Sequence, residues 1–125
     1  MPGKTVAQKA RLKPGTSIAV LNPAPGVVES LGLPQETTFV EPAEAQLVFL
    51  FARTRIELEA LMRPAVASLA PGASIWVFYR KGSRTAGLDM SRDSVWAIAE
   101  QLGLRPVGLL SIDETWSAFR LRSAR

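Results

Sequence analysis

Basic side chains follow two apolar runs of the sequence, at residues 47–51 and 75–79. Guanidinium and ammonium groups bind phosphates and carboxylates, and arginine does so with a planar fork of donors. A helix that begins near Thr54 would add free backbone amides and the positive end of its dipole to the same region. The sequence therefore predicts a small-anion site formed by Arg53, Arg55, Arg80, Lys81 and Arg84.

Several kinds of catalysis are excluded by the residue types that the chain lacks. It contains no cysteine and no histidine, so disulfides, thiolate nucleophiles, histidine bases and most zinc sites are excluded. The adjacent carboxylates Asp113 and Glu114 are expected in a solvated turn, where neighbouring residues rarely face each other as an acid–base pair. We therefore assign no catalytic residue and no metal site.

The bulk composition is that of a folded protein. The 125 residues carry a net charge of +4 and are 47% hydrophobic. This length and composition favour a single domain that spans residues 1–125. No apolar run approaches the roughly 20 residues that cross a bilayer, and no signal peptide is visible. We expect a cytoplasmic protein with no membrane partner, and the absence of nucleic-acid-binding motifs predicts no specific nucleic-acid partner.

Continuous apolar runs at residues 18–21, 47–51 and 75–79 indicate strands that are covered on both faces, as in parallel sheets. A shorter strand is expected at 37–40, and only residues 41–46 connect it to the next, so it must be very short or followed by a bare loop. Helical spacing of apolar residues predicts helices that begin after Thr54 and Ser91. Two strands at 107–112 and 116–122 complete a three-layer, mostly parallel α/β sheet with a C-terminal antiparallel hairpin.

Three local patterns make sharper predictions. Thr54 and Glu57 form a capping box, in which the Glu57 carboxylate accepts from the Thr54 amide. Pro64 interrupts the same helix, so a kink or a break is expected there. Arg120 and Arg122 alternate with apolar residues, which is typical of an edge strand. A homodimer could form along that edge.

Two stretches of the sequence resemble the fold of S-adenosylmethionine-dependent methyltransferases. They are Leu-Lys-Pro-Gly at 12–15 and Leu-Ala-Pro-Gly-Ala-Ser-Ile at 69–75, each before a strand, and the closing hairpin agrees with them. The stretch Asp-Glu-Thr-Trp-Ser-Ala-Phe-Arg at 113–120 is similar to an uncharacterised family of small bacterial proteins. These resemblances imply a degenerate Rossmann-like domain. The bacterial family has no established activity, so the similarity to it implies a fold and little else.

The resemblance also implies a cofactor site that this sequence matches only in part. The loop after the first strand, residues 21–27, holds one glycine and two prolines, and each proline removes an amide donor. Asn22 and Gln46 stand where such enzymes carry acids, whereas Glu41 matches the acid that holds the ribose. The main hypothesis is a non-catalytic binding or interaction domain without a cofactor. The alternative is a minimal S-adenosylmethionine- or nucleotide-dependent transferase, with Asn22, Gly26 and Glu41 on the cofactor and Arg80 and Lys81 on an anionic substrate.

Overall fold

The computed structural model describes residues 15–23, 33, 37–70, 72–80, 92–111 and 116–123. Six strands lie in these segments: β1 (Ser17–Leu21), β2 (Thr38–Phe39), β3 (Leu47–Phe51), β4 (Ser74–Arg80), β5 (Leu104–Ser111) and β6 (Trp116–Ser123). Two α-helices accompany them, α1 (Arg55–Ser68) and α2 (Arg92–Gln101), with a 3₁₀ helix at Pro42–Glu44. Gly26, Lys81, Arg84 and the turn at Asp113 and Glu114 lie outside the described residues.

The strands form one mixed sheet in the order β2-β1-β3-β4-β6-β5. The first four are parallel, while β6 pairs antiparallel with both β4 and β5. The strands β3 and β4 are almost fully buried along their lengths, as expected for strands covered on both faces. The sheet with its C-terminal hairpin confirms the predicted α/β fold class.

The strand β2 is only two residues long, which explains the short connection that follows it. Phe39 pairs with Ile18 of β1, and Leu47, the first residue of β3, pairs with the same Ile18. The end of β2 and the start of β3 therefore lie at the same level of the sheet, so the connection does not have to run back along β1. The connection is not a bare loop, since it contains the 3₁₀ helix.

Hydrophobic residues cover both faces of the sheet. Both helices pack on one face, where Leu58 and Met62 of α1 join Val95 and Ile98 of α2 in a single buried cluster. The opposite face, here called the aromatic face, is built from Phe49, Phe51, Trp76, Phe78 and Trp116 with smaller apolar residues. These rings contact one another at centroid separations of 4.5–6.4 Å, which are favourable distances for aromatic pairs.

The structure corrects two sequence predictions: the alternative of a break at Pro64, and an edge strand at residues 116–122. The helix α1 runs without a break from Arg55 to Ser68 and includes Pro64. Pro64 and Ala60, whose carbonyl loses its partner, are both exposed, so water can replace the missing amide.

The strand of residues 116–122 is not at the edge of the sheet. It is β6, which lies between β4 and β5, so β5 forms that edge. Both sides of β6 are already paired, so this strand offers no free edge, and the homodimer stays a prediction. No helix in the described segments is long and apolar enough to cross a membrane.

Candidate functional site

The candidate site lies where β1 and β3 end and α1 begins. The backbone of Asn22, the residue after β1, has φ of 56°, in the left-handed region that asparagine tolerates better than most residues. The side-chain amide of Asn22 donates to the carbonyl of Phe51 at 3.0 Å and to Oε1 of Glu57 at 2.6 Å. The sharp turn out of β1 is thus made by asparagine rather than glycine and is fixed to β3 and α1.

Glu57 is the residue that joins these elements. Its Oε1 also accepts from the backbone amide of Arg53 at 3.2 Å, and its Oε2 lies 3.4 Å from the guanidinium of Arg53. Three donors therefore converge on one carboxylate in the first turn of α1, where the helix dipole favours a negative charge. We infer that Glu57 positions Asn22 and Arg53 relative to each other.

The capping box at this helix is confirmed in one half and wrong in the other. The Thr54 hydroxyl accepts from the Glu57 amide at 3.2 Å, as predicted. The Glu57 carboxylate, however, accepts from the amide of Arg53 and not from that of Thr54. The additional bond to Asn22 explains the difference, because it draws the carboxylate toward the end of β1.

Replacing Glu57 with alanine is expected to lower the free energy of unfolding by about 1 kcal/mol, because the Asn22 side chain and the Arg53 amide and guanidinium lose a charged acceptor that joins β1, β3 and α1. Urea unfolding would measure the loss. Glu59→Ala is the matched control: Glu59 lies on the same helix, 3.8 Å from Arg55 in an exposed pair, and such pairs are worth about 0.5 kcal/mol or less. Equal losses in the two variants would show that Glu57 is only another surface charge.

Glu41 follows β2 at the same end of the sheet. It is exposed and is the residue immediately before the 3₁₀ helix, with no side-chain capping bond. The last backbone bond of this strand runs from the Val40 amide to the carbonyl of Ile18, so β2 ends three residues before β1 does. A ligand that contacts both Asn22 and Glu41 must lie across this step.

Gln46 stands where the resemblance implies an acid, but its side chain binds the start of β1. Its side-chain Oε1 accepts from the backbone amide of Ser17 at 3.1 Å, and its backbone amide donates to the carbonyl and the hydroxyl of Ser17. These bonds fasten β1 to β3 at the end of the sheet opposite the candidate site. Gln46 is therefore a structural residue.

The predicted anion-binding residues are only partly described. Arg53 and Arg55 each lie near a glutamate one helical turn along α1, at 3.4 and 3.8 Å, so their charges are partly balanced. Arg80 ends β4 and is exposed, while Lys81 and Arg84 lie outside the described residues. The proposed cluster stays a prediction.

Comparisons with solved structures show close similarity of fold. An O-methyltransferase from neocarzinostatin biosynthesis, in complex with S-adenosylmethionine and 2-hydroxy-5-methyl naphthoic acid, matches 87% of this chain with a TM-score of 0.67 and 14% identity. A methyltransferase from Aquifex aeolicus matches 93% with a TM-score of 0.62 and 12% identity, and human N-acetylserotonin methyltransferase matches 87% with a TM-score of 0.57 and 13% identity.

The extent of these matches differs between the neighbours. The chain spans 49% of the neocarzinostatin enzyme and 40% of the human enzyme, but 86% of the Aquifex enzyme. No protein-family model and no curated protein sequence matches the chain, so its similarity to a small bacterial family stays a prediction. The structural matches show that this chain has the Rossmann-like fold of S-adenosylmethionine-dependent methyltransferases.

Proposed function

We propose that this chain binds S-adenosylmethionine at the carboxyl ends of β1 and β2 and acts as a methyltransferase-type domain. The observation that carries the proposal is the shared fold: the neighbours that match about nine-tenths of the chain include proteins solved with that cofactor. Ligands of open α/β sheets bind outside the carboxyl ends of the strands. The comparisons thus favour the transferase hypothesis over the non-catalytic one.

The turn at Asn22 supports this proposal. The loop after the first strand has few glycines, which disfavours a cofactor, yet Asn22 adopts the left-handed conformation for which glycine is normally used. Its side-chain nitrogen is held by Phe51 and Glu57, which leaves its oxygen as an acceptor for a donor such as the ammonium group of the cofactor. The two prolines therefore do not prevent a sharp turn there.

The chemistry of Glu41 also fits the group. No hydrogen bond or ion pair occupies its carboxylate among the described residues, and a carboxylate can accept from both hydroxyls of a ribose. The resemblance assigns Gly26, which lies outside the described residues, to the same cofactor site. When bound, S-adenosylmethionine supplies an electrophilic methyl group on its sulfonium.

The substrate is expected to be anionic if Arg80 and Lys81 hold it. Arginine and lysine at the end of β4 would attract a carboxylate or phosphate and orient it toward the strand ends. The acidic naphthoic ligand of the neocarzinostatin enzyme is consistent with this chemistry. The predicted small-anion site and the substrate site are then the same surface.

Changing Glu41 to glutamine tests the cofactor site. We expect the dissociation constant for S-adenosylhomocysteine to rise about tenfold or more, because the charged acceptor for the ribose hydroxyls is lost. Isothermal titration calorimetry would measure it. Glu44→Gln is the matched control, since Glu44 is exposed and lies three residues further on, in the 3₁₀ helix, and it should change the constant less than twofold. Equal effects of the two substitutions would reject Glu41 as the ribose ligand.

A further inference from the structure

Three arginines share one face of the β5–β6 hairpin. Arg105 of β5 lies directly opposite Arg122 of β6, and Arg120 lies two residues earlier on β6. Because register partners and residues two apart point to the same side of a sheet, the three side chains lie on one face. Between them, Phe119 and Leu121 belong to the cluster beneath the helices, so the arginines are on the aromatic face.

The positive charge of this arginine cluster, Arg105, Arg120 and Arg122, is not balanced in the described part of the chain. The ion pairs found there join Arg53 to Glu57 and Arg55 to Glu59. Like charges directly opposite each other on neighbouring strands are destabilising. Arg105 and Arg122 are nevertheless exposed side by side, an arrangement that an external anion would stabilise.

Arg120 has an unusual environment for a charged residue. Its Nε is buried without a hydrogen-bond partner, and its guanidinium carbon lies 5.9 Å from the centroid of the Trp76 ring. Trp76 is the register partner of Arg120 on β4 and is 2% exposed, and its indole N–H also has no acceptor. Two neighbouring donors are thus withdrawn from water without an acceptor, which carries a free-energy cost.

The position opposite Arg120 on β5 is open among the described residues. Its register partner on β5 is Gly108, and a Cβ atom placed on Gly108 would meet nothing within 4 Å. The surface next to the guanidinium therefore has no side chain from β5 over it. The cation–π contact with Trp76 restricts the guanidinium, which lowers the entropy that binding would cost.

We propose that the arginine cluster is a binding site for a phosphate group carrying at least two negative charges. Guanidinium groups bind phosphate oxygens with paired, charge-assisted hydrogen bonds. Arg122 pairs with Ser74 at the start of β4, whereas the proposed cofactor site lies at the carboxyl ends of the strands. At about 3.3 Å per residue, the carboxyl end of β4 is about 13 Å along the strand from the level of Arg120 and about 20 Å from that of Arg122. The cluster is therefore a second site, independent of the proposed function.

Titration of the full chain with inorganic pyrophosphate at low ionic strength tests this site. We expect one-to-one binding that Arg122→Gln and Arg120→Gln each weaken at least tenfold. Arg63→Gln is the matched control, because Arg63 is an exposed arginine on α1 and away from the cluster, and it should weaken binding less than twofold. Because Arg122 is itself exposed, its variant is expected to fold.

A second titration with a twelve-residue oligothymidylate distinguishes the source of the phosphate. Binding that is tighter than that of pyrophosphate and is lost in Arg122→Gln would identify a nucleic-acid backbone, and binding of pyrophosphate alone would identify a small polyphosphate. The proposal is overturned if neither probe binds at millimolar concentration, or if Arg63→Gln weakens binding as much as Arg122→Gln does. Neither titration involves S-adenosylhomocysteine, so these outcomes are separate from those of the cofactor test.

Discussion

Phe49→Ala is expected to lower the free energy of unfolding by about 3–5 kcal/mol, the usual loss when a buried aromatic ring is truncated. Phe49 is fully buried at the centre of the aromatic face, with ring centroids 5.8 Å from Trp76 and 5.3 Å from Phe78. Removing the ring would leave a cavity that neighbours on β3 and β4 cannot fill, because each strand is held in register on both sides. Chemical denaturation followed by fluorescence would measure the loss.

This substitution removes a large share of a stability that is typically about 5–15 kcal/mol, so Phe49→Leu provides a milder variant with a smaller loss. Ile56→Ala is the control, since Ile56 is 80% exposed and its truncation should change stability by about 0.5 kcal/mol or less. A loss below about 1 kcal/mol in Phe49→Ala would contradict a packed aromatic face. The strand ends that form the candidate site depend on that packing.

S-adenosylhomocysteine is expected to stabilise the folded chain. A ligand present at 100 times its dissociation constant adds about 2.7 kcal/mol to the free energy of unfolding, which corresponds to a rise in melting temperature of roughly 10 °C for a domain of this size. Differential scanning calorimetry over a series of ligand concentrations would measure the rise. The physical reason is that the ligand binds the ends of β1 and β2 only when those strands are paired.

The variants described above provide the control for this stabilisation. At the same ligand concentration, Glu41→Gln should show a smaller rise than the unchanged chain, while Glu44→Gln should show the same rise. An unchanged melting temperature at millimolar ligand would favour the non-catalytic hypothesis that the glycine-poor loop suggested. The fold would then be shared with the methyltransferases without their cofactor.

The sequence predicted the strands because their signal is local. The runs at β1, β3 and β4 are apolar without alternation, which is the pattern of strands covered on both faces. The structure buries β3 and β4 almost fully and β1 in part. The order of the strands is not local, however. Alternation at Arg120 and Arg122 looks like that of an edge strand, but Gly108 and the aromatic ring of Trp76 accommodate an arginine on an internal strand.

The candidate site was predictable to a lesser extent. The chain pattern placed Asn22 and Glu41 after the first two strands, and the structure has both residues at strand ends. The role of Glu57 was recognised only as a helix cap, because its bond to Asn22 joins residues 35 positions apart. The left-handed turn at Asn22 was not predicted, because asparagine tolerates positive φ without requiring it and the sequence therefore carries no specific signal.

The most direct test of the proposed function is a crystal structure of the full chain grown with S-adenosylhomocysteine. We expect the adenosyl group at the carboxyl ends of β1 and β2, with the ribose hydroxyls within hydrogen-bond distance of the Glu41 carboxylate and the amino-acid part beside Asn22. Ligand density elsewhere on the chain, or a ribose that Glu41 does not contact, would contradict the proposed site. Crystals that remain free of ligand at saturating concentration would contradict cofactor binding altogether.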